Sequence, residues 1–296
     1  MDVAVALAPT RRVPLALHRH HVRRLEAVVD FVDAHLDAAL SLDRLAGVAA
    51  LSPYHFHRLF HQWSGETLNE FVRRRRLEVA AGRLRHCPDE KITAVSLNCG
   101  FASPEGFARA FRERFDMTPS MWRESGRGEH PRRCEMRSVT VTHEPAMALL
   151  YVRGRGQFNE VAPRLWEQFA SAIQHLGLEQ QPWLFMGLDD PEIAGTSLCR
   201  MDACVPLPAN GLVALPALSG MHHRWLPARW VATLDYDGPS SCIADGWDML
   251  LNQWLPQSAY QLAIGPFYER YEPQLDPPGG SSARCTLGMP IEPRMF

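Results

Sequence analysis

A chain of 296 residues, 46% hydrophobic and 22% charged, holds material for two globular cores of about 150 residues each rather than one. No stretch approaches the ~20 apolar residues that span a bilayer, and the apolar run at 3–8 lacks the basic flank and cleavage pattern of a signal peptide, so a cytoplasmic protein with no membrane partner is expected. The net charge of −2 conceals a split: residues 1–133 carry 21 Lys+Arg against 16 Asp+Glu, and residues 134–296 carry 10 against 17. That asymmetry points to a polyanion partner for the first part and a different partner for the second.

Residues 1–20 read as a poorly ordered leader. From residue 21 the pattern is helical. Val22, Leu25, Val28, Val29 and Val32 recur at three- and four-residue spacing and form one apolar stripe. Leu42, Leu45, Ala46 and Ala49 form a shorter one. Ser52 then offers an N-cap and Pro53 suits the first helical position. The helix that follows turns Phe56, Leu59, Phe60 and Trp63 inward, and Gly65 ends it. Thr67 opens a longer helix carrying Leu68, Phe71, Val72, Leu77 and Leu84, together with the run Arg73-Arg74-Arg75-Arg76.

The pattern then repeats. Ser52-Pro53-x-x-Phe56-x-Arg58-x-Phe60 matches Ser103-Pro104-x-x-Phe107-x-Arg109-x-Phe111, five identities at a constant offset of 51. Each copy has a short helix, a tight turn and a second helix with an apolar back and a polar front, so the half is an internal duplication. The polar fronts hold Tyr54, His55, His57, Arg58 and His61 in the first copy, and Glu105, Ala108, Arg109 and Arg112 in the second. Arginine can pair with guanine O6 and N7, and glutamate can accept from cytosine N4. Two helix-turn-helix units facing double-stranded DNA are the reading these residues support.

Over roughly residues 22–123 the sequence resembles the AraC/XylS family of transcription regulators. The resemblance rests on Leu51 through Phe60, on Arg75-Arg76-Leu77 with Ala80, and on Ile92, Gly100-Phe101, Phe107, Arg109, Phe111, Phe115, Thr118-Pro119 and Trp122-Arg123. It implies an all-α domain at 21–125 of seven helices, with two recognition helices entering successive major-groove segments about 34 Å apart. Carried over position by position, the base contacts fall on Tyr54, His57 and Arg58, and on Pro104, Glu105, Ala108 and Arg109. Pro104 has no N–H to donate, Ala108 is short, and Gly106 weakens its helix by about 1 kcal/mol relative to alanine. The second unit is therefore expected to depend more on phosphate and shape than on base edges.

Residues 126–135, rich in glycine, proline and charge, read as a linker. Beyond it the period changes. Strands are expected at 139–143, 147–152, 183–188, 199–205, 231–236, 262–264, 267–271 and 285–291, with helices over 158–176 and 242–255. That order gives an α+β domain over 136–296. Gly154-x-Gly156 lacks the third glycine and the acidic residue of a nucleotide loop and is expected to be a turn. The seven cysteines form no C-x-x-C pair, which speaks against a disulfide framework and a zinc site. Neither a metal nor a cofactor is expected.

The second half resembles the GyrI-like effector-binding domain in Tyr151 through Gly156, Gly187 through Pro191, Cys199 through Val205, Gly238-Pro239, Trp254-Leu255-Pro256 and Gly265 through Tyr271. The resemblance implies two strand-helix-strand-strand repeats around a groove for bulky, cationic aromatic compounds, with an acidic anchor at Glu269. Strand alternation puts Phe267, Glu269 and Tyr271 on one face, with Trp183 and Tyr236 as further wall residues; Trp225, Trp230 and Trp247 were other candidates. Two alternatives stand beside an effector-responsive regulator: a second half that only contacts a protein such as RNA polymerase or gyrase, and a hydrolase using Glu269 with Tyr236 or Tyr271. No Ser-His-Asp pattern, metal cluster or cofactor loop supports catalysis.

Overall fold

A computed structural model describes residues 19–125, 138–207, 221–272 and 280–294. The linker and Cys134 lie outside them, as does the leader, except that positions 19 and 20 already open the first helix. The helical half comprises α1 (Arg19–Ala34), α2 (Leu42–Val48), α3 (Pro53–Ser64), α4 (Leu68–His86), α5 (Ile92–Asn98), α6 (Pro104–Phe115) and α7 (Pro119–Ser125). Two cores sit on the two ends of α4. Leu25, Val28, Val32, Phe56, Phe60 and Phe71 fill the first. Leu77, Ala81, Leu84, Val95, Phe107 and Phe111 fill the second, and Ile193 from the other half of the chain joins them. A capping box between Thr67 and Glu70 starts α4.

The duplication is visible in the caps. Ser52 accepts from the His55 N–H at 3.4 Å and Ser103 from the Gly106 N–H at 3.1 Å, each with a proline at the first helical position. The repeat is not uniform, however. The turn N–H of Leu51 bonds Ala46 and that of Phe101 bonds Ser96, an offset of one residue less than between Ser52 and Ser103, so the second turn holds one extra residue, Ala102. Both turns place a residue in the left-handed region, Ala50 at φ 50° and Gly100 at φ 78°. A Cβ on Gly100 would lie 2.2 Å from the Leu36 carbonyl oxygen and 2.8 Å from the Arg76 guanidinium, so only glycine fits there.

The second half contains β1 (Thr140–Glu144), β2 (Met147–Arg155), α8 (Phe158–Gln174), β3 (Trp183–Gly187), the single turn α9 (Pro191–Ala194), β4 (Arg200–Pro206), β5 (His222–Leu226), β6 (Arg229–Pro239), α10 (Ile243–Asp248), α11 (Leu255–Gln257), β7 (Tyr260–Leu262), β8 (Phe267–Tyr271) and β9 (Ser282–Pro293). The strands form one sheet in the order β1-β6-β9-β8-β3-β4-β2-β5, with β7 paired to β9. The triplets β6-β9-β8 and β2-β4-β3 mirror one another and meet where β8 pairs with β3. The two strand-helix-strand-strand repeats are thus present. Leu165, Trp166, Phe169 and Ile173 of α8, with Met249, Leu250 and Leu255, cover one face of the sheet. The opposite face carries Tyr151, Arg153, Asp202 and Arg224 and receives α1.

Three local expectations are corrected. The helix expected over 242–255 is broken: a π-helical segment, Met249–Trp254, separates α10 from α11. Such segments interrupt the regular ladder and recur at functional sites. Gly154 is in β2 rather than a turn, and glycine is required there because a Cβ would lie 2.6 Å from Val161 Cγ1 of the packed α8. Strand β5 escapes the sequence reading because two of its three inward positions, His222 and Arg224, are polar and face α1, and only Leu226 enters an apolar cluster.

Candidate DNA-reading face and effector site

Tyr54, His57, Arg58, Glu105, Ala108 and Arg109 are all exposed, on the sides of α3 and α6 away from the two cores. Among the described residues Tyr54 is the most exposed large hydrophobic residue, at 74%. The Arg58 guanidinium lies 5.8 Å from its ring centroid, which brings the two side chains together near the start of α3. In front of α6, Ala108, Arg109, Arg112, Glu113 and Thr118 line an open depression of about 690 Å³. Pro104 is half-buried at the start of the helix. Among the described residues Arg58, Arg109 and Arg112 enter no ion pair, so their charge is available to a polyanion.

The arginine run of α4 is spent differently. Arg73 pairs with Glu113, Arg74 with Glu66 at 2.6 Å and Glu78 at 3.0 Å, and Arg76 donates to the Leu36 and Ala38 carbonyls at 2.9 and 2.8 Å. Arg74 and Arg76 are thereby largely withdrawn from solvent, while the Arg73–Glu113 pair stays exposed on the surface.

On the helix-covered face of the sheet, β8 brings Phe267, Glu269 and Tyr271 together as strand alternation requires. Across β3, Trp183 pairs with Tyr271, Phe185 with Glu269 and Gly187 with Phe267. The Tyr271 hydroxyl donates to Glu269 Oε2 at 2.6 Å, and the Trp247 indole also bonds this carboxylate. Burial pushes the Glu269 carboxyl above its ordinary value against these donors. Its basic neighbours look elsewhere: Arg270 pairs with Glu272 at 2.9 Å and Arg284 with Asp237 at 3.0 Å.

Aromatic rings surround the carboxylate. Trp166 stacks on Trp183 at 5.8 Å and Trp247 on Phe267 at 5.5 Å. Trp183 Nε1 is buried with no acceptor. Tyr236 belongs to the same core, and its hydroxyl donates to the Pro239 carbonyl at 2.7 Å. Trp225 and Trp230 are 63% and 43% exposed, on β5 and β6. Sequence reasoning missed Phe185 and Trp166 as wall residues, although Phe185 alternates with Trp183 on β3.

The six described cysteines are unpaired. Burial raises Cys99 and Cys285 to about 12 and Cys199 to about 11, which favours the protonated thiol. No helix among the described residues is long and apolar enough to cross a membrane.

Comparisons with known proteins divide the chain in the same way. A helix-turn-helix domain family matches residues 45–125, and the GyrI-like small molecule binding domain family matches residues 137–292. The regulatory protein SoxS of Salmonella typhimurium is 33% identical over 103 residues, 35% of this chain and 95% of its own. The transcriptional regulator Rob of the same organism is 36% identical over 95 residues, 32% of each chain, so the similarity spans about a third of Rob. Among solved structures, an AraC-type regulator from Chromobacterium violaceum is 28% identical, covers 37% of this chain and 95% of its own, and has a TM-score of 0.34. The DNA-binding domain of AdpA, solved with a target DNA, is 28% identical with the same TM-score and covers 37% of this chain and 97% of its own. The chain belongs to the AraC/XylS family of DNA-binding transcription regulators, with a GyrI-like small-molecule-binding domain as its second half.

Proposed function

We infer that the protein reads a specific duplex through α3 and α6 and answers to a hydrophobic cation bound against Glu269. In this reading residues 21–125 form the DNA-binding unit and residues 136–296 the effector unit. Tyr54, His57 and Arg58 supply direct base contacts, while Glu105, Ala108 and Arg109 combine weaker base readout with phosphate contact.

The observation that carries the effector reading is the environment of Glu269. A carboxylate beneath two helices, with raised proton affinity, has two hydrogen-bond donors and, among the described residues, no cation. A positive ligand supplies the missing charge, and each flanking ring adds about 0.5–2 kcal/mol through its face. The free Trp183 Nε1 donor favours a ligand that also carries an acceptor. Tryptophan fluorescence, titrated with tetraphenylphosphonium and other hydrophobic cations, tests this in wild type and Glu269→Gln. Saturable quenching lost in the variant supports it. Absence of quenching by every compound removes it and favours protein contact, with RNA polymerase as the partner to try.

The Tyr271–Glu269 hydrogen bond also brings together one pair that the hydrolase alternative requires. Incubation with hydrophobic epoxides or esters, followed by product analysis, tests that second reading.

A further inference from the structure

The first helix-turn-helix unit packs on the face of the sheet opposite Glu269, and the second is held by the connection between β3 and β4 and by the end of β9. On the first unit, Glu26, Asp30 and Asp33 form an acidic stripe along α1. Arg153 reaches Glu26 and Asp30, each at 2.7 Å, Arg224 reaches Asp30 at 2.5 Å, and Arg200 reaches Asp33 at 2.7 Å. Toward the second unit, Arg85 pairs with Glu192 at 2.7 Å, Arg83 approaches Glu292 at 3.5 Å, and Arg294 pairs with Asp89 at 3.1 Å. Ile193 is buried in the second unit's core.

Between these two grips lies Arg75 of α4. It meets Asp33 at 2.9 Å, Glu78 at 2.6 Å and Asp189 at 2.5 Å. Asp189 also accepts from the Arg200 backbone and guanidinium at 2.8 Å. Arg75, Arg200 and Asp189 are nearly inaccessible to water, with side-chain exposures of 6%, 3% and 2%. Asp189 follows the end of β3, four residues after Phe185, which faces Glu269 across the strand pair.

We propose that the effector half is a splint that fixes the relative orientation of α3 and α6, and that Asp189 is the positioning residue through which a shift of β3 reaches α4. The link between Phe185 and an effector rests on the Glu269 reading above; the splint does not. Strand β3 resists stretching through its ladder as far as Gly187, and the bond from the Leu188 N–H to the Arg200 carbonyl at 3.0 Å carries the pairing on to the residue before Asp189. A buried ion cluster resists partial separation, because each ion left without a partner carries its desolvation cost. A shift at Phe185 therefore moves Arg75 with Asp189 or breaks their bond, and either result changes how α4 spaces the two units.

The test uses the full chain and a duplex selected from a random pool, with affinity read by fluorescence anisotropy. Phe185→Leu, Asp189→Asn and the double variant form a cycle. Each single change is expected to shift affinity by about fivefold or more, with the double no larger than the larger single effect. Multiplying effects, or an inert Phe185→Leu, overturn the coupling. Because Asp189→Asn removes charge from a buried cluster, Asp189→Glu is the second variant; it keeps the charge but lengthens the arm, and the same non-additivity is expected.

A further readout separates positioning from stability. One base pair inserted between the half-sites shifts their spacing and rotation, and wild type should lose about tenfold or more in affinity. A chain with a loosened splint should lose less, and equal losses overturn the splint. If tetraphenylphosphonium quenches wild type while the cycle is additive, the relay fails and the effector reading stands. If no cation binds while the cycle is non-additive, the effector reading fails and the splint stands.

Discussion

Glu269 accepts a hydrogen bond from Tyr271 at 2.6 Å while the arginines at 270 and 284 turn away to Glu272 and Asp237. Among the described residues, the carboxylate is thus stabilised by neutral donors and surrounded by aromatic rings. Its proton affinity rises, and a bound cation would lower it again.

The pH dependence follows with a definite sign. Burial raises the Glu269 carboxyl above the ordinary value of 4.5, so the folded state binds the proton more tightly than the unfolded chain. Folding therefore loses stability as pH rises from the unfolded value through the folded one. Cation affinity should increase over that window and level off above it, with proton release on binding. Calorimetry of tetraphenylphosphonium across pH checks this, and pH-independent affinity would contradict it. At neutral pH, Glu269→Gln should raise the unfolding midpoint while abolishing cation binding.

Arg58 is exposed, stacked on Tyr54 and free of ion pairs among the described residues. Arg58→Ala should cost about 1–3 kcal/mol on the selected duplex and much less on a scrambled one. Equal losses on both would make Arg58 a phosphate contact. Affinity of the wild type should also fall steeply with salt as counterions are released.

Gly100 sits at φ 78° with the Leu36 carbonyl oxygen where a Cβ would be. Gly100→Ala should destabilise the chain by about 3 kcal/mol or more, through left-handed strain and displacement of Arg76. Urea unfolding measures it, and a loss under about 1 kcal/mol would show that the turn yields easily.

Arg153 is buried among Glu26, Asp30 and Asp202. Arg153→Met should cost about 3–5 kcal/mol, because it leaves three carboxylates short of a partner. Burial alone would raise the Asp30 carboxyl, but Arg153 and Arg224 hold it down at about 2. A depressed carboxylate stabilises the fold above its unfolded value of 3.8, and that stability is lost as pH falls toward 2. The variant should lose less stability than wild type over this acid window; parallel unfolding curves would refute the assignment.

The helical half was legible because its cores are apolar and periodic: Phe56/Phe60 and Phe107/Phe111 announce two helices with matching caps. The aromatic-carboxylate strand was legible because alternation puts Phe267, Glu269 and Tyr271 on one face. What could not be read was the contact between halves. Glu26, Asp30 and Asp33 recur at helical spacing, but an acidic stripe looks like a solvated face until Arg153, Arg200 and Arg224 from distant strands meet it. The same charge pairing hid β5, whose inward side carries His222 and Arg224 beside a single buried leucine, Leu226. The excess negative charge of the second half likewise does not point to Glu269, the proposed anchor, whose setting is made by its immediate neighbours.

The most direct measurement is the affinity of the full chain for its selected duplex with and without saturating hydrophobic cation, in wild type and Glu269→Gln. Ligand and DNA sites coupled through one sheet predict a change of about fivefold or more in wild type and none in the variant. An unchanged affinity in wild type, with the cation demonstrably bound, would contradict an effector-responsive regulator built around Glu269.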